Sequence, residues 1–123
     1  MILLDSNLLI YSAQDKFAFL RLLISNSQTH ISAMSKLETL GYQKLSTEER
    51  LYFEGIFKTS PVIPVTDDVI DKAVELRQQK KMSVGDCIIA ATALLNGFDL
   101  YTNNAADFAH IPDLNVVNPL GNQ

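Results

Sequence analysis

The sequence predicts an α/β protein with three layers, α/β/α, around a central and mostly parallel sheet of about five strands. Short apolar runs that are typical of strands alternate with longer helical segments, and this order favours a parallel sheet with helices on both faces. Helix start and stop signals separate the runs. With 123 residues and 47% hydrophobic content, the chain fits one core. We therefore expect a single domain over residues 1–123.

Five apolar runs are predicted to form the strands. Each is short, and polar, Gly or Pro residues flank it. The predicted strands cover about residues 1–5, 29–31, 62–65, 99–102 and 115–118.

Capping signals predict where the helices begin and end. Ser46 and Glu49 have the spacing of a capping box, and Thr66 stands before two aspartates at the start of another helix. Gly97 is predicted to end the most apolar helix, which covers residues 88–95.

Composition limits the location and the partners. The single cysteine, Cys87, lies in an apolar run and is interpreted as a buried thiol in a reducing, cytoplasmic environment. No basic leader opens the sequence and no apolar stretch approaches the ~20 residues of a membrane helix, so we expect no membrane insertion. The net charge of -4 argues against nucleic acid at first sight, but ten acids balance ten bases once four candidate metal ligands are set aside. Net charge therefore does not settle the partner.

Asp5 is the first candidate metal ligand. It is the sole charge among residues 1–14 and ends the first predicted strand. In an open parallel sheet, ligands collect at the carboxyl ends of strands near the point where strand order reverses. The alternative is that Asp5, Ser6 or Asn7 only caps the next helix.

Asp86 is the only charge from Met82 to Phe98 and opens an apolar helix. The helix dipole favours its ionised form there. Ser83 stands three residues earlier, so a capping box is the structural alternative. The two roles are compatible because one carboxylate oxygen can cap while the other binds metal.

Glu38 lies on a helix that is expected to turn Met34, Leu37 and Leu40 towards the core. No basic residue stands three or four positions away, so Glu38 has no local ion pair. Gly41 is expected to allow another backbone or a ligand to approach closely. The alternative is a solvated surface glutamate.

Asp107 follows the fourth strand in a polar segment with Thr102 and Asn104. Taken alone, it is an ordinary exposed acid in a loop or short helix. Together with the other three acids it adds to an all-oxygen ligand set, which hard cations such as Mg²⁺ or Mn²⁺ prefer.

Four motifs in this order resemble the PIN domain, specifically the small VapC-type toxins of bacterial toxin–antitoxin modules. They span nearly the whole chain and read ILLDSN, SKLETL, SVGDCIIAATAL and LYTNNAADF. The resemblance implies that the catalytic, metal-binding acids are Asp5, Glu38, Asp86 and Asp107, with Ser6 and Asn104 as polar helpers.

The resemblance also implies an activity and partners. A member of this family is a Mg²⁺- or Mn²⁺-dependent endoribonuclease whose acids hold one or two metal ions near the scissile RNA phosphodiester. It implies a homodimer, and a small antitoxin protein whose peptide lies in a hydrophobic groove.

Two surface features bear on these partners. Arg77, Lys80 and Lys81 come just before the Asp86 helix and predict a phosphate-binding rim, unless they form only a solvated helix end. The run over residues 17–24 is apolar nearly all round, and a second aromatic face adds more apolar surface. The residues of that face are Tyr52, Phe53, Ile56 and Phe57. We expect one of these faces to meet another chain; the alternative is ordinary burial.

Two other functions remain open. A non-catalytic module could keep this fold to bind RNA or protein, although four intact acids weigh against it. A haloacid dehalogenase-type phosphatase also begins with an acid at a strand end, but it requires a second Asp two residues later, where this chain has Asn7.

Overall fold

The central sheet matches the predicted α/β class. The computed structural model describes residues 1–121. Its strands are β1 (Ile2–Leu4), β2 (Thr29–Ser32), β3 (Val62–Ile63), β4 (Asp99–Tyr101) and β5 (Val116–Val117). They are ordered β3-β2-β1-β4-β5, and all four pairings are parallel. All five predicted strands are present; β2 is one residue longer than predicted and the others are shorter.

Helices connect the strands. They are α1 (Ser6–Ser12), α2 (Leu20–Ser25), α3 (Ala33–Leu40), α4 (Thr47–Thr59), α5 (Asp67–Gln79) and α6 (Val84–Asn96), with 3-10 turns at Asp15–Phe17 and Ala105–Asp107. The predicted capping box of Ser46 and Glu49 opens α4, and the Thr66 side chain caps α5. Gly97 ends α6 in the left-handed conformation, with φ of 66°.

The sheet separates two hydrophobic clusters, as the three-layer prediction requires. Successive side chains of a strand point to opposite faces. Leu3 accordingly packs in one cluster with residues of α5 and α6, while Leu4 packs in the other with residues of α1, α2 and α4. Cys87 is buried in the first cluster, as predicted.

The two predicted apolar faces have different outcomes. The run over residues 17–24 does not form one continuous helix: a 3-10 turn ends at Phe17 before α2 begins. Leu20 and Ile24 are buried, whereas Phe19 and Leu22 are 52% and 78% exposed. The second face is mostly core, because two of its side chains are buried and the other two are partly buried against the same cluster. These are Phe53, Ile56, Tyr52 and Phe57.

The prediction for α3 was wrong at Leu37, which is 67% exposed. The buried positions of α3 are Ser35 and Thr39. This helix therefore turns small polar side chains inwards, so its apolar pattern does not mark its buried face.

The topology explains where a ligand would bind. From β1 the chain adds β2 and β3 on one side and later β4 and β5 on the other, so the strand order reverses between β1 and β4. The carboxyl ends of these two strands are followed by Asp5 and Thr102. Over residues 1–121, no helix has the length and apolar character needed to span a bilayer.

Candidate active site

Asp5 is buried at the switch point and is held by two hydrogen bonds. Its Oδ1 accepts from the Ser6 backbone N–H at 2.8 Å, and its Oδ2 accepts from Thr102 Oγ1 at 2.7 Å. Asp5 is the N-cap of α1, so the capping alternative is correct as a structural role. The Thr102 hydroxyl accepts a hydrogen bond from the Asn104 N–H at 3.0 Å, which ties the segment after β4 to the same carboxylate.

Ser6 joins the first acid to the second. Its hydroxyl donates to Glu38 Oε1 at 2.8 Å and lies 2.8 Å from Ser35 Oγ. Because Ser6 has one hydroxyl proton and gives it to Glu38, the Ser35 hydroxyl is the donor of the other bond. Ser35 is not among the site residues predicted from the sequence, although its position three residues before Glu38 puts both on one side of α3.

Asp86 lies in the first turn of α6, where its N–H donates to Ser83 Oγ at 3.1 Å. The predicted cap by Ser83 is therefore present, while the return bond from the Asp86 side chain is absent from the described residues. Gly85, next to Asp86, is in close contact with Glu38: a Cβ added there would lie 2.9 Å from Glu38 Oε2. Gly85 rather than Gly41 thus permits a close approach, since a Cβ on Gly41 would meet the Leu37 carbonyl of its own helix.

Asp107 ends the 3-10 turn after β4 and is exposed, as predicted for an acid in a short helix. It shares a cleft with Asp86. Asn104 precedes the turn but its side chain makes no capping hydrogen bond there. Asp107 and Asn104 are therefore at the rim of the site.

The four acids interact electrostatically with one another in sequence, and they are called here the acid row. Its members are Glu38, Asp5, Asp86 and Asp107. Burial raises the pKa of Asp5 from 3.8 to about 6; the Thr102 hydrogen bond opposes this, and the charges of Asp86 and Glu38 add to it. Burial also raises the pKa of Asp86, the Ser83 hydrogen bond lowers it, and the charge of Asp107 raises it. Each acid therefore has an acidic neighbour.

No cationic side chain neutralises this row. The ion pairs found within residues 1–121 are Arg21–Asp15, Arg50–Glu54 and Lys72–Glu75, and all lie outside it. Uncompensated carboxylates that repel one another are stabilised when a divalent cation binds between them.

The oxygen atoms of this site are compatible with a hydrated divalent cation. Within the described part of the chain, no three Asp, Glu, His or Cys side chains come together as a cage that could hold a metal ion. Mg²⁺ does not require such a cage, because it keeps several waters and is usually held by one or two carboxylates together with substrate phosphates. The carboxylates of Asp5, Glu38 and Asp86, which interact electrostatically, provide the oxygen ligands that such a site requires.

Comparisons with known proteins agree with the motifs. The family model described as "PIN domain" matches residues 2–114. A chain of a toxin–antitoxin complex from Klebsiella pneumoniae is 32% identical, with a TM-score of 0.78 and coverage of 97% of this chain and 98% of that chain. Chains of VapBC2 from Rickettsia felis, bound to a promoter DNA fragment, and of FitAcB from Neisseria gonorrhoeae share the fold. Comparison with curated proteins gives no match.

These two solved structures cover nearly complete chains. For VapBC2, the identity is 24%, the TM-score is 0.78, and the coverage is 96% of this chain and 98% of that chain. For FitAcB, the corresponding values are 21%, 0.77, 99% and 100%. The predicted resemblance is confirmed, and the haloacid dehalogenase alternative is set aside. This chain belongs to the PIN domain family.

Proposed function

We propose that this protein is a metal-dependent endoribonuclease that hydrolyses RNA phosphodiester bonds at Asp5, Glu38, Asp86 and Asp107. The observation that carries the proposal is the state of Asp5. It is a buried carboxylate at the switch point, without a cationic partner among residues 1–121, and both Glu38 and Asp86 raise its pKa. Such a group is suited to a cationic cofactor.

Each residue has a distinct proposed role. Asp5, Asp86 and Glu38 would hold Mg²⁺ or Mn²⁺, and Asp107 would extend the site at its exposed rim. Thr102 holds the orientation of Asp5, and Ser6 holds that of Glu38. A bound divalent cation supplies Lewis-acid stabilisation of the negative charge that develops on the phosphate.

We further propose that the protein is the toxin of a toxin–antitoxin pair in the cytoplasm. The basis is the 32% identical relative, which comes from a toxin–antitoxin complex. A groove of about 510 Å³ between α2 and α4 offers an apolar surface with Ile24, Tyr52 and Ile56 in its lining. This groove would take an apolar segment of the antitoxin. Phe19, the N-cap of α2, and Leu22 on α2 are exposed and lie outside the lining of the groove, and they would contribute to a homodimer.

A non-catalytic RNA- or protein-binding module remains the second candidate. The observation in its favour is that the acids form a row without a converged group of three in residues 1–121. This candidate predicts RNA affinity that survives Asp86→Asn, with no metal-dependent turnover.

The test is cleavage of total RNA by purified protein with Mg²⁺, with Mn²⁺ and with chelator. Asp86→Asn removes the charge and keeps the side-chain volume, and circular dichroism checks that it is folded. Asp113→Asn, at an exposed carboxylate outside the site, is the matched control.

The proposal expects metal-dependent cleavage by the wild type and by Asp113→Asn, with a loss of at least about 100-fold in Asp86→Asn. Absence of cleavage by every form, over several RNA classes, would overturn it in favour of the binding module.

A further inference from the structure

A cleft of about 550 Å³ beside the candidate acids carries charges of both signs. It lies between the end of α5, the first turn of α6 and the 3-10 turn after β4. Arg77, Lys80 and Lys81 line it together with Asp86 and Asp107. The three basic residues, named here the cationic wall, thus share one concave surface with two of the four acids.

The basic residues of the cationic wall are not neutralised by the acids of the cleft. None of its members takes part in an ion pair within the described residues, whose pairs all lie elsewhere. The basic groups of the wall are therefore not paired with the acids of the cleft and can bind an anion.

Arg77 is also held in place. Its Nε donates to the Met82 carbonyl at 3.2 Å, which fixes the guanidinium against the connection between α5 and α6. A guanidinium fixed through one nitrogen keeps its terminal N–H groups for a phosphate.

We propose that Arg77, Lys80 and Lys81 bind the phosphate backbone of an RNA strand and hold it beside the Asp86 and Asp107 end of the acid row. This inference rests on the proposed endoribonuclease function. Four carboxylates repel a polyanion, so a substrate that must reach them needs basic groups close by that do not neutralise them. Contacts of this kind hold the backbone independently of sequence.

The position of the cationic wall determines from which side the RNA strand reaches the acids. The basic residues lie on the side of Asp86 and Asp107, whereas Glu38 lies against Gly85 and Ser6. The strand would therefore approach across the end of α5 and reach Asp86 and Asp107 before Asp5 and Glu38.

The test measures binding without catalysis. A fluorescein-labelled single-stranded RNA is titrated with protein in chelator, and anisotropy is followed from 50 to 200 mM salt. The variant Lys80→Gln/Lys81→Gln removes two exposed charges of the wall and spares Arg77, which has a structural bond. The matched control, Lys58→Gln/Lys72→Gln, removes two lysine charges outside the cleft.

We expect the wall variant to bind at least about tenfold more weakly at 50 mM salt. Its slope of log K against log salt should be shallower by about 1.4, which is about 0.7 for each lost phosphate contact on a single strand. The control should stay within about twofold of the wild type. Equal affinity and equal slope in the wall variant and the control would overturn the proposal. So would preferential binding of an acidic peptide such as polyglutamate, because the wall would then serve a protein partner.

The same proteins separate this inference from the proposed function. One outcome is that the wild type cleaves RNA with metal and the wall variant binds RNA as tightly as the wild type. This outcome would refute the role of the cationic wall and leave the nuclease proposal standing. The opposite outcome is that the wall variant loses RNA affinity and the wild type does not cleave RNA with metal. This outcome would refute the nuclease proposal and support the role of the cationic wall in binding RNA.

Discussion

Thr102 Oγ1 donates a 2.7 Å hydrogen bond to Asp5 Oδ2, which joins residues 97 positions apart in the chain. The two residues follow β4 and β1, the neighbouring strands between which the strand order reverses. The bond stabilises the ionised form of Asp5 against the burial that raises its pKa. One hydroxyl therefore ties the fold of the switch point to the charge state of the candidate site.

Replacing Thr102 by Val is expected to destabilise the protein by about 3 kcal/mol, since it removes an acceptor for the Asn104 N–H and a donor to a buried carboxylate. Urea unfolding at pH 7 measures the change. Thr59→Val is the control, because the Thr59 hydroxyl bonds the Gly55 carbonyl at an exposed helix end and should change stability by only about 0.5 kcal/mol. Equal effects of the two substitutions would show that the Thr102 bond is not structural.

Asp5 should make the metal-free protein less stable as pH rises. Its pKa is about 6 in the folded state against 3.8 ordinarily, so the folded state binds more protons between these values. Stability from this group is greatest below about pH 4, falls as pH rises to about 6 and is then constant. The stability of Asp5→Asn relative to the wild type should therefore rise by up to about 3 kcal/mol between pH 4 and pH 8.

Thermal or urea unfolding in chelator from pH 4 to 8 measures that difference, with Asp113→Asn as the surface control. A difference that does not vary with pH would contradict the raised pKa. Addition of Mg²⁺ at pH 8 should stabilise the wild type more than Asp5→Asn, because a ligand of the folded state adds stability only where its site is intact.

Gly85→Ala should impair activity without unfolding the protein. A Cβ at Gly85 would lie 2.9 Å from Glu38 Oε2, so the carboxylate must move. A small displacement of a catalytic group is expected to lower the cleavage rate by at least about tenfold. Gly55→Ala on α4 is the matched control, since nothing lies within 4 Å of a Cβ there.

The control should keep full activity and gain up to about 1 kcal/mol of stability from helix propensity. Single-turnover RNA cleavage and urea unfolding of both variants give the comparison. An active Gly85→Ala variant would mean that Glu38 has freedom to move without loss of function.

Ser6→Ala should lower both stability and RNA cleavage, although it removes only one oxygen atom. The Ser6 hydroxyl is the hydrogen-bond donor to Glu38 and the acceptor from Ser35, so its loss releases the carboxylate and leaves the buried Ser35 hydroxyl without this partner. We expect about 2 kcal/mol of destabilisation and a reduced cleavage rate. Ser25→Ala, at an exposed hydroxyl of α2, is the control. Unchanged cleavage in a folded Ser6→Ala would remove Ser6 from the proposed site.

The parts of the structure that follow from local pattern were predictable. The strands and helix ends were found because periodicity and capping depend on nearby residues, as at Ser46 and Gly97. The position of Asp5 directly after β1 was also predictable, because an isolated carboxylate in an apolar segment is conspicuous in the sequence.

The contacts between distant segments were not predictable from pattern. Ser35 reaches Ser6 across 29 positions, and Gly85 meets Glu38 only because α3 and α6 pack together. Leu37 was assigned to the wrong side because the buried positions of α3 are the small polar residues Ser35 and Thr39, and Ser35 bonds Ser6 of the candidate site. Hydrophobic periodicity indicates an apolar core and fails where a helix is buried against the candidate site.

The most direct test of the account is isothermal titration of the metal-free protein with Mn²⁺ at pH 6 in buffers of different ionisation enthalpy. We predict binding to the wild type and to Asp113→Asn, with proton release because Asp5 is partly protonated at that pH. Binding should be at least about tenfold weaker in Asp5→Asn and in Asp86→Asn. Equal Mn²⁺ affinity in all four proteins, or no binding to any of them, would contradict the claim that these acids form a metal site.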